Sequence, residues 1–260
     1  MRTHRAEIRE RRDRTGPYRS LVLDAPALAE AARPGQFVMI RVSDTTDPLL
    51  RRPFSLFRAD GPAGTAEILF RIMGRGTSML DRLQPGEKVD VVGPLGKPFP
   101  SLPMDEIVLV GGGVGIPPLF FYAEWIRGRE PARNVHVLMG GRTKGDLVAR
   151  EEFERLGIEV QAATDDGSAG HAGVVTDLLR PFLGPSHAIL ACGPAPMLKA
   201  VSEMATKSKT KCCVSVEERM ACGLGVCMGC AVPVRSEGEA RSYRLACTDG
   251  PVFDAEEVLW

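Results

Sequence analysis

The chain has 260 residues, enough to bury a sizeable core in one large or two modest domains. Apolar residues make up 44% and charged residues 25%, and 33 basic side chains balance 33 acidic ones, so no net charge argues for a nucleic-acid partner. No apolar run approaches the ~20 residues of a membrane helix.

Met1 to Arg14 alternates acids with bases where a signal peptide would carry an apolar stretch, so a cytoplasmic location is expected. Short β-branched or alternating runs follow at Arg19–Leu23, Gln36–Val42, Ala66–Met73 and Lys88–Val92. Pro34-Gly35, Gly61-Pro62, Pro85-Gly86 and Gly93-Pro94 punctuate them. This pattern predicts a small barrel or sandwich. Within it, Arg51-Arg52-Pro53-Phe54-Ser55 is either a strand edge with solvated arginines or a flavin site. In the second reading an arginine neutralises a pyrophosphate, Ser55 reaches the polar edge of the ring, and Phe54 packs nearby. Leu69-Phe70-Arg71 adds another cation, and Gly74-Arg75-Gly76-Thr77 a turn able to cradle phosphate.

After Pro103 the pattern changes. Strands at Glu106–Val110, Val135–Met139, Ile158–Ala162 and Ala188–Ala191 alternate with helices expected at Pro117–Arg127, Leu147–Leu156, Val174–Phe182 and Ala195–Ala205. That alternation predicts a parallel α/β sheet covered on both faces. Gly111-Gly112-Gly113-Val114-Gly115 joins the first strand to a helix whose start holds Pro117 and Pro118. Such a turn suits a phosphate at a helix N-terminus, although its spacing is not G-x-G-x-x-G and a tight connection explains it equally well. Cys192-Gly193-Pro194 ends a later strand, and ligands of open α/β sheets bind at carboxyl strand ends. Thr164-Asp165-Asp166-Gly167-Ser168 is either a polar turn or a ribose contact. Arg142 either meets a 2′-phosphate or is solvated.

Cys212–Val216 reads as a last strand of that sheet. Beyond it come a Gly- and Cys-rich loop, a strand at Cys230–Val234, a polar turn and a tail ending at Trp260. Seven cysteines in a cytoplasmic chain argue against a disulfide framework. Cys192, Cys212 and Cys213 lie in or beside apolar strands and read as small buried hydrophobes, with Cys192 also placed for the nucleotide crevice. The other four read Cys222-x4-Cys227-x2-Cys230, then Cys247 after sixteen residues, the plant-type spacing for a [2Fe–2S] cluster. Three thiolates must converge from one tight loop, and Gly223, Gly225 and Gly229 permit positive φ and close backbone approach. A zinc site would more often show two Cys-x2-Cys knuckles, and only one is present.

In order, R-P-F-S, L-F-R with G-x-G-T, G-P-L-G, G-G-G-V-G-I-P-P-L, D-D-G-S, C-G-P-x-P-M-L and E-E-R-M-A-C-G-L-G-V-C-M-G-C cover nearly the whole chain. The sequence resembles the electron-transfer subunits of NAD-dependent dihydroorotate dehydrogenases, within the ferredoxin–NADP reductase superfamily. The resemblance implies a mixed β and α/β fold in three parts: an FAD-binding β-barrel over 1–102, a parallel α/β NAD-binding domain over 103–210, and a small [2Fe–2S] domain over 211–260. It places FAD on Arg52, Pro53, Phe54, Ser55, Leu69, Phe70, Arg71, Gly76 and Thr77. It places NAD on Gly111, Gly112, Gly113, Val114, Gly115, Cys192, Gly193 and Pro194, and the cluster on Cys222, Cys227, Cys230 and Cys247. Phe54 stands where the superfamily often has Tyr, which leaves the stacking surface intact. The implied partner is an FMN-containing catalytic subunit, two of each forming a heterotetramer, with electrons from dihydroorotate passing through cluster and FAD to NAD⁺. The small subunits of NADH-dependent ferredoxin:NADP oxidoreductase and of sulfide dehydrogenase share this architecture. The ferredoxin:NADP subunits commonly carry Asp at one ligand position that is Cys here. A metal sensor built on a defunct reductase is a third reading, against which the retained flavin and nucleotide motifs speak.

Overall fold

The computed structural model describes residues 2–236 and 239–260. Six strands close a barrel in the order β1-β2-β5-β4-β3-β6: β1 (Arg2–Asp13), β2 (Tyr18–Asp24), β3 (Phe37–Arg41), β4 (Arg52–Asp60), β5 (Thr65–Arg71) and β6 (Lys88–Leu95). Two short helices accompany them, α1 (Pro26–Ala31) and α2 (Arg75–Arg82). The charged N-terminal stretch is thus a barrel strand. Ala6 and Ile8 face the core while Arg5, Glu7, Arg9 and Glu10 around them face water.

The second sheet has seven strands in the order β10-β9-β8-β7-β11-β12-β15. β7 (Glu106–Gly112), β8 (Asn134–Gly141), β9 (Val160–Thr164), β10 (His171–Ala172), β11 (His187–Cys192) and β12 (Lys211–Ser215) are parallel. Helices α3 (Ile116–Arg129), α4 (Arg150–Arg155) and α5 (Ala195–Ser208) lie between them. The helix expected from Leu147 starts only at Arg150. That expected over Val174–Phe182 is two 3₁₀ turns, Val175–Leu178 and Arg180–Phe182. Pro181 cannot donate an N–H there and collides with the preceding turn, which ends any α-helix through it.

β13 (Ala231–Ser236) and β14 (Glu239–Leu245) pair as a separate ribbon, and β15 (Val252–Asp254) returns antiparallel to β12. The expected polar turn between β13 and β14 lies at 237–238, outside the described residues. Among the described residues, no helix is long and apolar enough to cross a membrane. Cores join the three parts. Tyr18, Phe57 and Leu69 of the barrel pack with α3 and the sheet. Phe37, Met39 and Leu95 of the barrel pack with Cys230 and Cys247.

Candidate functional site

Strand register opens the barrel beside the R-P-F-S motif. The β4–β5 ladder runs from Asp60↔Thr65 to Leu56↔Ile68 and stops. Beyond that point Arg52–Ser55 pairs only with β3, ending at Ile40↔Arg52. Leu69–Arg71 pairs only with β2, ending at Tyr18↔Arg71. Two strand edges therefore part, and their peptide groups are left for another partner.

α2 begins at this opening. A Cβ on Gly76 would lie 3.1 Å from Arg52 Nε, so the glycine lets the guanidinium lie against the helix start. The Thr77 hydroxyl accepts the N–H groups of Met73 and Gly74 at 3.0 and 3.2 Å, so it caps the helix. A guanidinium beside free helical N–H groups suits a pyrophosphate. Leu69 and Phe70 are buried and offer only backbone. Phe54 also faces the core, its ring edge-on to Phe70 at 5.8 Å, so it supplies an aromatic wall rather than an open stacking face. Arg71 lies over the Tyr18 ring at 5.9 Å. Two cations, a helix start and free strand edges fit FAD.

The two glycine turns meet at the carboxyl end of the second sheet, where Gly111 and Cys192 are register partners. A Cβ on Gly115 would overlap the Cys192 carbonyl. One on Gly193 would lie 2.6 Å from Met197 Cε, and one on Gly112 3.0 Å from Met197 Sδ. These glycines first allow α3, β11 and Met197 to pack. Gly113 adopts φ +55, with the Tyr18 hydroxyl as the nearest atom to its missing side chain. Val114 and Pro194 flank the same junction. Burial pushes the Cys192 thiol up to about 12, so it stays neutral beside Ser215. In the Asp165-Asp166 turn, Asp166 accepts the Ser168 N–H at 2.9 Å and Ser168 Oγ accepts the Lys144 N–H at 2.7 Å. The Ser168 bonds hold the Asp166 carboxyl below its usual range.

The four remaining cysteines come together in one region: Cys222, Cys227 and Cys230 share the loop, and the Gly225 N–H of that loop reaches Cys247 Sγ. Among the described residues no three metal-binding side chains gather around one point. Four thiols from one glycine-rich loop and one later strand end, with amides aimed at their sulfurs, suit an iron–sulfur cluster. The N–H groups of Leu224 and Cys227 donate to Cys222 Sγ at 3.3 and 3.5 Å, and that of Gly225 donates to Cys247 Sγ at 3.2 Å. The Leu224 and Cys227 amides bring the Cys222 thiol down to about 6. Burial, then the adjacent Cys230, pushes Cys247 up to about 11. Gly223 and Gly225 adopt positive φ as expected. Gly229 does not; Met228 takes the left-handed conformation instead at φ +60.

Cys230 and Cys247 are buried, whereas Cys227 is exposed. A Cβ on Gly223 would lie 2.6 Å from Met39 Cγ, so the loop rests on β3. Met39 is the register partner of Pro53. One strand thus separates the cysteine loop from the opening beside Arg52–Ser55. Nothing in the sequence marked Met39 or Tyr18, because ordinary core spacing hides them, and Met197 was marked only as the M of C-G-P-x-P-M-L, with no role attached.

Three family models cover most of the chain. An oxidoreductase FAD-binding domain matches 17–99, an oxidoreductase NAD-binding domain 109–203, and the iron–sulfur cluster binding domain of dihydroorotate dehydrogenase B 217–259. The electron transfer subunit of dihydroorotate dehydrogenase B (NAD(+)) from Geobacillus kaustophilus is 43% identical over 242 residues, 92% of this chain and 91% of that protein. The same subunit from Desulforamulus reducens is 39% identical over 91% of this chain and 90% of that protein. A solved NADH-dependent reduced ferredoxin-NADP oxidoreductase aligns with a TM-score of 0.85 and 30% identity, over 99% of this chain and 90% of that one. A ferredoxin reductase in carbazole 1,9a-dioxygenase, 24% identical with a TM-score of 0.69 over 80% of this chain and 66% of that one, shares the fold.

Proposed function

Because the chain belongs to the family of electron transfer subunits of dihydroorotate dehydrogenase B (NAD(+)), we propose that it serves a catalytic subunit that oxidises dihydroorotate on FMN. Two copies of each would form a cytoplasmic heterotetramer. The chain itself is a flavin and iron–sulfur oxidoreductase subunit, with FAD-, NAD- and cluster-binding regions. When bound, the cluster carries single electrons, FAD converts between these and a hydride, and NAD⁺ takes the hydride.

The protein's own part is to bind, orient and tune. Cys222, Cys227, Cys230 and Cys247 would hold the cluster, with the amides of Leu224, Gly225 and Cys227 stabilising negative sulfur. Arg52 and the Gly76–Thr77 start of α2 would take the FAD pyrophosphate. Pro53, Phe54 and Ser55, with the backbone of Leu69, Phe70 and Arg71, would line the flavin. Gly111–Gly115 and Cys192–Pro194 would form the nicotinamide crevice.

The observation that carries this reading is the seat of the cysteine loop on Met39, one strand from Pro53. It supports a cluster adjoining the flavin on its inner side, while Cys227 turns outward among exposed Leu224, Val226 and Met228. That apolar rim suits a protein partner. The test is co-purification with an FMN-containing dihydroorotate dehydrogenase, followed by dihydroorotate-dependent NAD⁺ reduction. Activity in the complex and in neither subunit alone is expected. Dihydroorotate oxidation by this chain unaided would overturn the division of labour. Its likeness to the ferredoxin-NADP oxidoreductase favours a second reading, which reduction of NADP⁺ by reduced ferredoxin, without any dihydroorotate activity, would establish instead.

A further inference from the structure

Asp146 is a buried carboxylate outside the residues assigned above, with a side chain 10% exposed. Its Oδ1 accepts the Tyr18 hydroxyl at 2.9 Å. Its Oδ2 accepts the backbone N–H of Arg142 at 3.3 Å and Nε–H of the same arginine at 3.1 Å. Burial by itself would raise this carboxyl, but the bonds from Arg142 and Tyr18 more than offset it and leave it below the usual range. The acid is therefore charged, and both oxygens are used.

Arg142 differs from its holder. Its side chain is 63% exposed, and among the described residues only Nε has a side-chain partner. Its terminal nitrogens form a fork anchored from behind. Arg142 directly follows β8, the strand beside the glycine-turn strand β7. In dinucleotide folds the group that reads the 2′ position of the adenosine ribose stands near this place. The β9 turn closes over the same spot. The Asp165 N–H donates to the Gly141 carbonyl at 3.1 Å and the Asp166 N–H to the Arg142 carbonyl at 3.2 Å. Beside Asp146, Asp165 and Asp166 stand the cations Arg142, bonded to Asp146, Lys144, whose N–H meets Ser168 in the same turn, and Arg71, which lies over the Tyr18 ring bonded to Asp146.

We propose that Arg142 reads the adenosine ribose of the dinucleotide, and that Asp146 is the positioning residue that holds it so as to select a 2′-hydroxyl over a 2′-phosphate. The inference rests on the reading that the glycine turns hold the nicotinamide nucleotide. Held through Nε, the fork offers N–H donors to hydroxyl oxygens. Its charge is matched by Asp146 and opposed by two further acids, so a dianionic phosphate gains little there. Tyr18 ties the device to the barrel, because its ring also lies beneath Arg71.

The test measures binding of NAD⁺ and NADP⁺ to the oxidised, cofactor-loaded protein by calorimetry. Arg142→Ala, at an exposed position, should weaken NAD⁺ binding roughly tenfold, the equivalent of about 1.4 kcal/mol. Asp146→Asn should improve NADP⁺ relative to NAD⁺ by roughly tenfold, as expected when a matched guanidinium is released. The double variant should lose that gain. Unchanged NAD⁺ affinity in Arg142→Ala would overturn the proposal, as would an unchanged selectivity ratio in an Asp146→Asn protein with wild-type melting and FAD content. Should Asp146→Asn fail to fold, Arg142→Ala still decides. A wild-type protein that binds neither dinucleotide would instead overturn the reading of the glycine turns.

Discussion

The cysteine loop rests on β3 and the candidate flavin slot opens beside its neighbour β4, and the two are made in opposite ways. The loop is a run of candidate side-chain ligands. Its amides point at its own sulfurs, and its left-handed positions, Gly223, Gly225 and Met228, fall between its own cysteines. Only Cys247 comes from farther along the chain. The slot is made of absent pairing. β4 and β5 stop bonding at Leu56↔Ile68, and each continues with a different neighbour. A site of ligands depends on spacing, whereas a site of free strand edges depends on register across the barrel. Damage to the first should be local and chemical, and damage to the second should appear as lost cofactor affinity or stability.

The largest separation of the two regions should come from Cys227→Ser. Removing this exposed thiol should abolish electron exchange with the partner subunit while NADH still bleaches FAD at the wild-type rate. Stopped-flow absorbance and the coupled dihydroorotate assay would show this. Normal coupled turnover would refute the cluster's place in the path. Arg52→Ala strikes the slot instead. Losing a charged hydrogen-bond donor should weaken FAD by about 1.5–3 kcal/mol, read by fluorescence of released flavin, with iron content unchanged.

Gly223→Ala probes the contact between the regions. The residue has φ +71, and its Cβ would meet Met39 Cγ at 2.6 Å, so about 1–3 kcal/mol of stability should be lost in urea unfolding. The smallest effect belongs to Tyr18→Phe, which removes the hydroxyl donated to Asp146 and should cost about 1 kcal/mol near neutral pH. Burial, then the bond to Asp146, raises the Tyr18 hydroxyl to about 12. The neutral form is thus favoured in the folded protein. Its contribution should be complete below pH ~10, the value for an unperturbed tyrosine, and fade as pH climbs toward the folded value. The stability gap between wild type and Tyr18→Phe should narrow over that window, as pH-dependent melting would show.

The chain's local patterns carried much of this. Cysteine spacing pointed to the cluster, the order of motifs pointed to flavin before nucleotide, and alternating strands and helices pointed to the α/β sheet. Each depends on residues close in sequence. Local pattern misled where a distant or steric term intervened. Pro181 broke the helix expected over Val174–Phe182, and Met228 took the positive φ expected at Gly229. The acid–base alternation of Arg2–Asp13 concealed a barrel strand, because only its inward residues are apolar.

Spacing is a property of the chain, so the sequence by itself determined which thiols stand together and which turns end in glycine. Register is a property of pairing between segments far apart in sequence. Only the tertiary structure could decide that β4 and β5 part beside Arg52, that the cysteine loop rests on Met39, and that Tyr18 meets Asp146 across 128 residues. Those contacts form between side chains that locally look like any others in a core, and burial selects them only once the strands have found their neighbours.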